Sequence, residues 1–224
     1  MLAAAVVFMP AVVQADSIAV NDYLVIKDAA PDTNAQYNPG TGTLGGGTWW
    51  VDEVTYPGGA GNAGANAGDF KTFCVELNET IYVDNSTIFK VNSIEKYAVK
   101  GGVGGASGNK DYLSIETQAL YHYFRFGGSA LATGAQFQRA FWFYENEAPI
   151  DSVLNPAYVW ANANAATYLA AISNGLHTRA LNLTTIGGVD SQTLLTVVPD
   201  GGATLALLGC ALMGLGALRR KFRQ

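Results

Sequence analysis

With 224 residues, 14% of them charged and 49% hydrophobic, the chain has room for one domain with its own core but not for two. Its formal net charge is -5, and because four cations cluster at the extreme C-terminus the remainder is more acidic still, which excludes nucleic acid as a partner. Low charge together with 26 glycines describes a secreted, β-rich, loop-rich protein and not a cytosolic helical enzyme.

In chain order, residues 2–13 are apolar, and Val13-Gln14-Ala15 presents small residues where a signal peptidase reads them. Residues 1–15 are therefore expected to be a signal peptide cleaved before Asp16. The exported body is expected to span 16–197. Alternation over 17–26 predicts a first strand, followed by a polar loop through Asp32, Asn34 and Asn38. Gly40-Thr41-Gly42-Thr43-Leu44-Gly45 matches a dinucleotide-binding fingerprint in form only, because it leads into a strand over 48–55 and not into a helix. After a flexible loop at 58–68, strands are predicted over 70–77, 80–83 and 87–94, with Asp84-Asn85-Ser86 as a turn. The glycines of 101–108 do not make a phosphate loop, since Asn109 separates them from Lys110 and no Ser or Thr follows.

The period then changes. Apolar residues recur at helical spacing over 114–126, and Gly127-Gly128 ends the run. Thr133 and Gln136 form a capping box for a second helix whose core stripe is Phe137, Ala140, Phe141 and Tyr144. Asn155-Pro156 opens a third helix running to about residue 173. Strands over 179–186 and 193–198 close the body. The expected fold is α+β: a β-sandwich or barrel with an inserted helical layer at about 114–173, followed by a C-terminal transmembrane helix.

Of the two cysteines, Cys210 falls in the apolar C-terminal segment, which leaves Cys74 as the sole thiol of the body and excludes an intramolecular disulfide. In the strand over 70–77, Cys74 is expected on the more polar face with Thr72 and Glu76, opposite Phe73, Val75 and Leu77. On the second helix, Gln138 lies outside the core stripe, in register with Trp142 and Glu145. Other chemistry is poorly supported. The two histidines, His122 and His177, lack metal-ligand spacing, and a Cys74 and His122 dyad competes with simple packing of His122 on an aromatic helix. Glu145 and Glu147, two apart on a helix, would not face each other as a glycosidase pair must. Asn78-Glu79-Thr80, Asn85-Ser86-Thr87 and Asn182-Leu183-Thr184 match the N-glycan acceptor pattern and are read as surface turns and strands.

The Phe73-Cys74-Val75-Glu76 motif followed by Gln138, Ala140, Phe141 and Trp142 is similar to the bacterial surface thioester domains, in which Cys and Gln form an internal cross-link. That resemblance implies a bond between Cys74 and Gln138 and covalent capture of an amine-bearing surface. Phe137 stands where the family usually has Thr, and Thr117-Gln118-Ala119-Leu120-Tyr121 offers a competing match through Gln118 that lacks the Trp. The same pattern, with a closing Leu181-Asn182-Leu183 strand, also looks like many exosortase substrates of no known chemistry.

The C-terminal segment, 198–224, has three parts. Val198-Pro199-Asp200-Gly201-Gly202 is a polar turn, 203–218 is uncharged and rich in small residues, and Arg219, Arg220, Lys221 and Arg223 follow it. An apolar helix over 203–218, extended by flanking glycines and snorkelling arginines, is expected to cross a membrane with its basic end in the cytoplasm. This order resembles the PEP-CTERM group of bacterial sorting signals, and the polar turn looks most like its Val-Pro-Asp-Ser-Gly variant. The resemblance implies handling by an exosortase, a membrane enzyme of bacteria that make extracellular polysaccharide. The protein is therefore expected to be exported, membrane-anchored before processing, and then placed in the cell envelope or extracellular matrix as a structural or adhesive component. It needs no cofactor, metal or catalytic residue. The alternatives are a thioester adhesin and a cysteine-dependent hydrolase.

Overall fold

Among the described residues, strands from the two ends of the body flank, in chain order, three helices contributed by its middle. The computed structural model describes residues 15–28, 35–37, 44–54, 69–79, 81, 87–103, 107–108, 110–149, 153–172 and 175–199. In chain order the elements are β1 (Tyr23–Asp28), β2 (Ala35–Tyr37), β3 (Leu44–Gly46), β4 (Trp49–Val54), β5 (Phe70–Thr72), β6 (Ile88–Glu95), β7 (Tyr97–Ala98), β8 (Asp111–Tyr112), α1 (Ile115–Tyr123), α2 (Gly134–Tyr144), α3 (Pro156–Ala171), β9 (Leu176–Thr185) and β10 (Asp190–Pro199). Six strands form an antiparallel sheet in the order β10-β9-β6-β1-β4-β5. β2 with β3, and β7 with β8, make two small ribbons.

The two outer strands of the large sheet meet. Just past β5, Cys74 bridges Leu194 of β10, the Val75 N–H donates to the Thr193 carbonyl, and the Leu195 N–H donates to the Phe73 carbonyl. The Thr72 hydroxyl adds a bond of 2.6 Å to the Leu195 carbonyl. The sheet is therefore closed into a barrel, which removes the exposed edges an open sheet would leave. Leu24, Ile26, Trp49, Val51, Phe70, Phe89, Val91, Leu181, Leu183 and Leu194 fill one core, and Cys74 belongs to it. Alternation sends Phe73, Val75, Ala180, Leu195 and Val197 to the other side of the wall, where Leu120, Tyr121, Phe124, Phe137 and Phe141 cover them. One wall thus separates two cores, the barrel interior and the helical layer.

Several expectations change in detail. The first strand starts at Tyr23 and not at residue 17, because Asp22 closes a tight turn: the Ala19 N–H donates to its carboxylate at 2.6 Å and Asn21 takes φ 78°. The strand expected over 70–77 splits, pairing with β4 through Thr72 and then switching to β10. Of the strand expected over 80–83, only residue 81 is described, outside any strand. The first helix is α-helical only to Tyr123 and continues as a π turn over Phe124–Gly128, where Gly127 has φ +143°. A side chain at Gly128 would collide with the Tyr123 ring, so the tight turn needs a glycine there. Among the described residues no helix is long and apolar enough to cross a membrane. The signal peptide expected at 1–15 lies outside the described residues except for Ala15, and the transmembrane helix expected at 203–218 lies wholly outside them, as does Cys210.

Candidate functional site

The site begins with the start of α2. Thr133 accepts from the Gln136 N–H while the Gln136 side chain accepts from the Thr133 N–H, the reciprocal box that fixes the helix start. With that register set, Phe137, Ala140 and Phe141 enter the helical core. Gln138 and Trp142, one residue round the helix, are also fully buried, so the buried face is wider than the expected stripe, and Tyr144 sits at its margin.

Gln138 reaches the barrel wall where β4 has run out. Its Oε1 accepts from the Cys74 N–H at 2.9 Å and its Nε2 donates to the Cys74 carbonyl at 2.7 Å. The main-chain groups of Phe73 and Val75 are turned to β10, and those of Cys74 face the other way. The Gln138 carboxamide pairs with them as a neighbouring strand would. The structure thus brings Cys74 and Gln138 together across 64 residues. It does not bring Gln118 to Cys74; the Gln118 Nε2 donates instead to the Leu113 carbonyl at 2.8 Å.

The thiol lies opposite Phe73 and Val75, as the alternation placed it, but the character of that side differs from the expectation. Cys74 is buried among the apolar side chains of the barrel interior and not on a polar face, because closure of the wall onto β10 makes that side the inside of a barrel. Burial pushes its pKa up to about 12; the Trp49 indole N–H offsets only part of this, and Glu76 and Glu79 add to it. A thiol so held is protonated at neutral pH and a poor nucleophile.

Acidic side chains tie loops to this wall. Glu145 and Glu147 lie beyond the last turn of α2, not on it, and they diverge. Glu145 accepts from the Ser114 N–H and hydroxyl at 3.0 and 2.8 Å, fastening the N-cap of α1. Its pKa is pushed up to about 7 by burial, which outweighs hydrogen bonds that favour the ionised form. Glu147 accepts from the Leu77 and Val103 N–H groups, each at 2.8 Å. Glu76 is pushed up to about 9 by burial and by Glu79 beside it. His122 is packed between α1 and α3, with its Nδ1 3.0 Å from the Tyr168 hydroxyl and its ring against Phe126, while Cys74 belongs to the barrel interior.

Asn182, read from its acceptor pattern as a surface residue, is buried on β9. Its Oδ1 accepts from the Val99 N–H and the Thr193 hydroxyl, and its Nδ2 donates to the Ser93 hydroxyl and the Tyr97 carbonyl. Among the described residues no group of three or more His, Cys, Asp and Glu side chains is arranged to hold a metal ion. Sequence reasoning also missed two buried ion pairs, Lys27 with Asp52 at 2.7 Å and Arg125 with Asp16 at 2.7 Å. Lys27 and Asp52 carried one available signal, opposite charges at apolar positions of neighbouring strands; Asp16 and Arg125 carried none.

The head of the C-terminal signal is part of the barrel. Val198 pairs with His177 and Pro199 with Leu176, so β10 runs into the motif. Asp200, Gly201 and Gly202, with Arg219, Arg220, Lys221 and Arg223, lie outside the described residues.

No curated protein and no solved structure matches the chain. A family model does: the VPDSG-CTERM motif, at residues 197–222. The match begins inside β10, at the residue that follows Thr196 in the barrel wall. Residues 197–222 carry the signal of a PEP-CTERM-type sorting-domain protein, and that signal implies export, a membrane-anchored precursor and processing by an exosortase-type enzyme.

Proposed function

We propose that the protein is a structural or adhesive component of the cell envelope or extracellular matrix, and that its body works as a scaffold without catalysis. The observation that carries this reading is the sorting motif, joined without a spacer to the last strand of the barrel. The polar side chains around the Cys74 wall support it: Gln138, Glu145 and Glu147 each hold main-chain groups of a neighbouring segment. Side chains engaged in this way stiffen a fold. The acidic body favours cationic partners, such as an amine-bearing surface, and extracellular polysaccharide is the other candidate partner.

Delivery is tested by replacing Arg219, Arg220, Lys221 and Arg223 with neutral residues in the full chain. Loss of the cations removes the bias that fixes the tail's orientation, so unprocessed or misplaced precursor is expected to accumulate. Processing and localisation unchanged from the parent would remove the basis of the reading.

A second reading is a thioester adhesin, favoured by the contact of the Gln138 carboxamide with Cys74. The Cys74 sulfur would attack Gln138 Cδ, an S–C bond would form as the Cδ–Nε2 bond breaks, and Nε2 would take up the thiol proton and leave as ammonia. Against it, the buried thiol is held protonated, and both carboxamide atoms bond to the Cys74 main chain. Intact mass separates the two readings. The scaffold predicts full sequence mass and a thiol that reacts on unfolding. A deficit of one ammonia, reversed by methylamine and abolished by Gln138→Ala but not by Gln118→Ala, would establish the cross-link.

A further inference from the structure

Asp16 lies on the flank of β10 beyond the stretch covered by 73–75. The Asp16 N–H donates to the Val197 carbonyl at 2.9 Å, and the Asp16 Oδ2 accepts from the Val197 N–H at 2.9 Å and from the Thr196 hydroxyl at 2.9 Å. The Arg125 guanidinium closes the other side of the carboxylate, with NH2 2.7 Å from Oδ1 and NH1 2.8 Å from Oδ2. Arg125 is itself held by the Tyr121 hydroxyl and lies over the Phe70 ring. The Asp16 side chain is 2% exposed and that of Arg125 15%. One carboxylate therefore binds a main-chain N–H, a hydroxyl and a guanidinium, the full complement its two oxygens need when buried.

Val197, the residue so bracketed, is the first of the matched sorting motif, and Asp16 is the residue before which the leader is expected to be cut. Beside the pair is a cavity of about 220 Å³ lined by Ala15, Asp16, Ser17, Asp69, Phe70 and Arg125. Hydrolysis of the Ala15–Asp16 amide would add water across the bond, leaving a carboxylate on Ala15 and an ammonium on Asp16. The ammonium has three N–H donors where the amide had one. One keeps the Val197 carbonyl, and the others open to the space that Ala15 leaves, which the Asp69 carboxylate also lines.

We propose that Asp16 is the N-terminal residue of the exported body and that this seam, ammonium and carboxylate on Val197 with Arg125 behind them, is a latch holding the root of the sorting motif in the barrel. The expected leader cut and the first residue of the sorting motif then lie side by side, and the motif leaves the body at a fixed place. The inference shares the exported reading but not its structural or adhesive role, so the two can fail separately.

The test uses the full chain produced in an exporting host. N-terminal sequencing should return Asp16 as the first residue; a different start overturns the proposal. Hydrogen exchange at the Val197 amide should accelerate about tenfold or more in Asp16→Asn, with Leu181 and Leu183 unchanged. Arg125→Lys, which keeps the charge and loses the two-pronged contact, covers the case in which Asp16→Asn does not fold, and should shift Val197 the same way by a smaller factor. Unchanged exchange at Val197 in the folded variants overturns the latch.

Discussion

Gln138 substitutes for a strand. Its carboxamide satisfies both main-chain groups of Cys74 at a point in the wall where β4 has ended, and both residues are buried. Gln138→Ala leaves a buried N–H and a buried carbonyl unpaired, and a loss of about 2–4 kcal/mol is expected in urea unfolding. Gln118→Ala, which removes one bond at a partly buried position, should cost about 1 kcal/mol. Equal losses would mean that the carboxamide does not replace a strand. The Thr133 and Gln136 cap was legible in the sequence because its partners lie three residues apart and the chemistry is local. That the side taken by Cys74 is an apolar interior was not, because it depends on closure of the wall onto β10, and that partner lies far along the chain. Asp16 and Arg125, 109 residues apart, were invisible for the same reason.

At the scale of elements, periodicity located the strands and helices well where one side of the element meets a core. β4, β6, β9, β10 and α2 fall close to their expected positions. α3 also begins where Asn155-Pro156 predicted, its side chain accepting from the Ala157 and Tyr158 N–H groups. It has no broad apolar stripe to read, since its buried contacts are Ala157, Ala161 and Ala165, small residues at a spacing of four that let it lie close to the rest of the layer. The end of α1 was blurred because the π turn keeps Phe124 in the core after the α-helical spacing has stopped, extending the apolar run past the helix. Closure of the barrel was not legible either: a sandwich and a barrel share the same alternation, and the distinction rests on three residues, 73–75, meeting β10.

For the whole molecule, the acidic side chains set a pH dependence. Glu145 and Glu76 are raised from an ordinary 4.5 to about 7 and about 9, mainly by burial. The folded state therefore holds protons that the unfolded chain gives up near pH 4.5. The stability these groups contribute is fully present below that point and is lost as pH rises through 7 for Glu145 and through 9 for Glu76, at up to about 1.4 kcal/mol per pH unit for each group. Thermal melts from pH 5 to 9 should show a falling Tm, and Glu76→Gln should flatten the alkaline part of the curve. A Tm that rises over this range would contradict the burial of these carboxyl groups. The position of the sorting motif has a mechanical consequence as well. Because β10 carries its head and is bonded to β9 on one flank and to Asp16 and residues 73–75 on the other, a pull transmitted from an anchored end at Pro199 runs along the strand. Such a load is shared in shear by many hydrogen bonds at once, where a strand pulled sideways would lose them one by one.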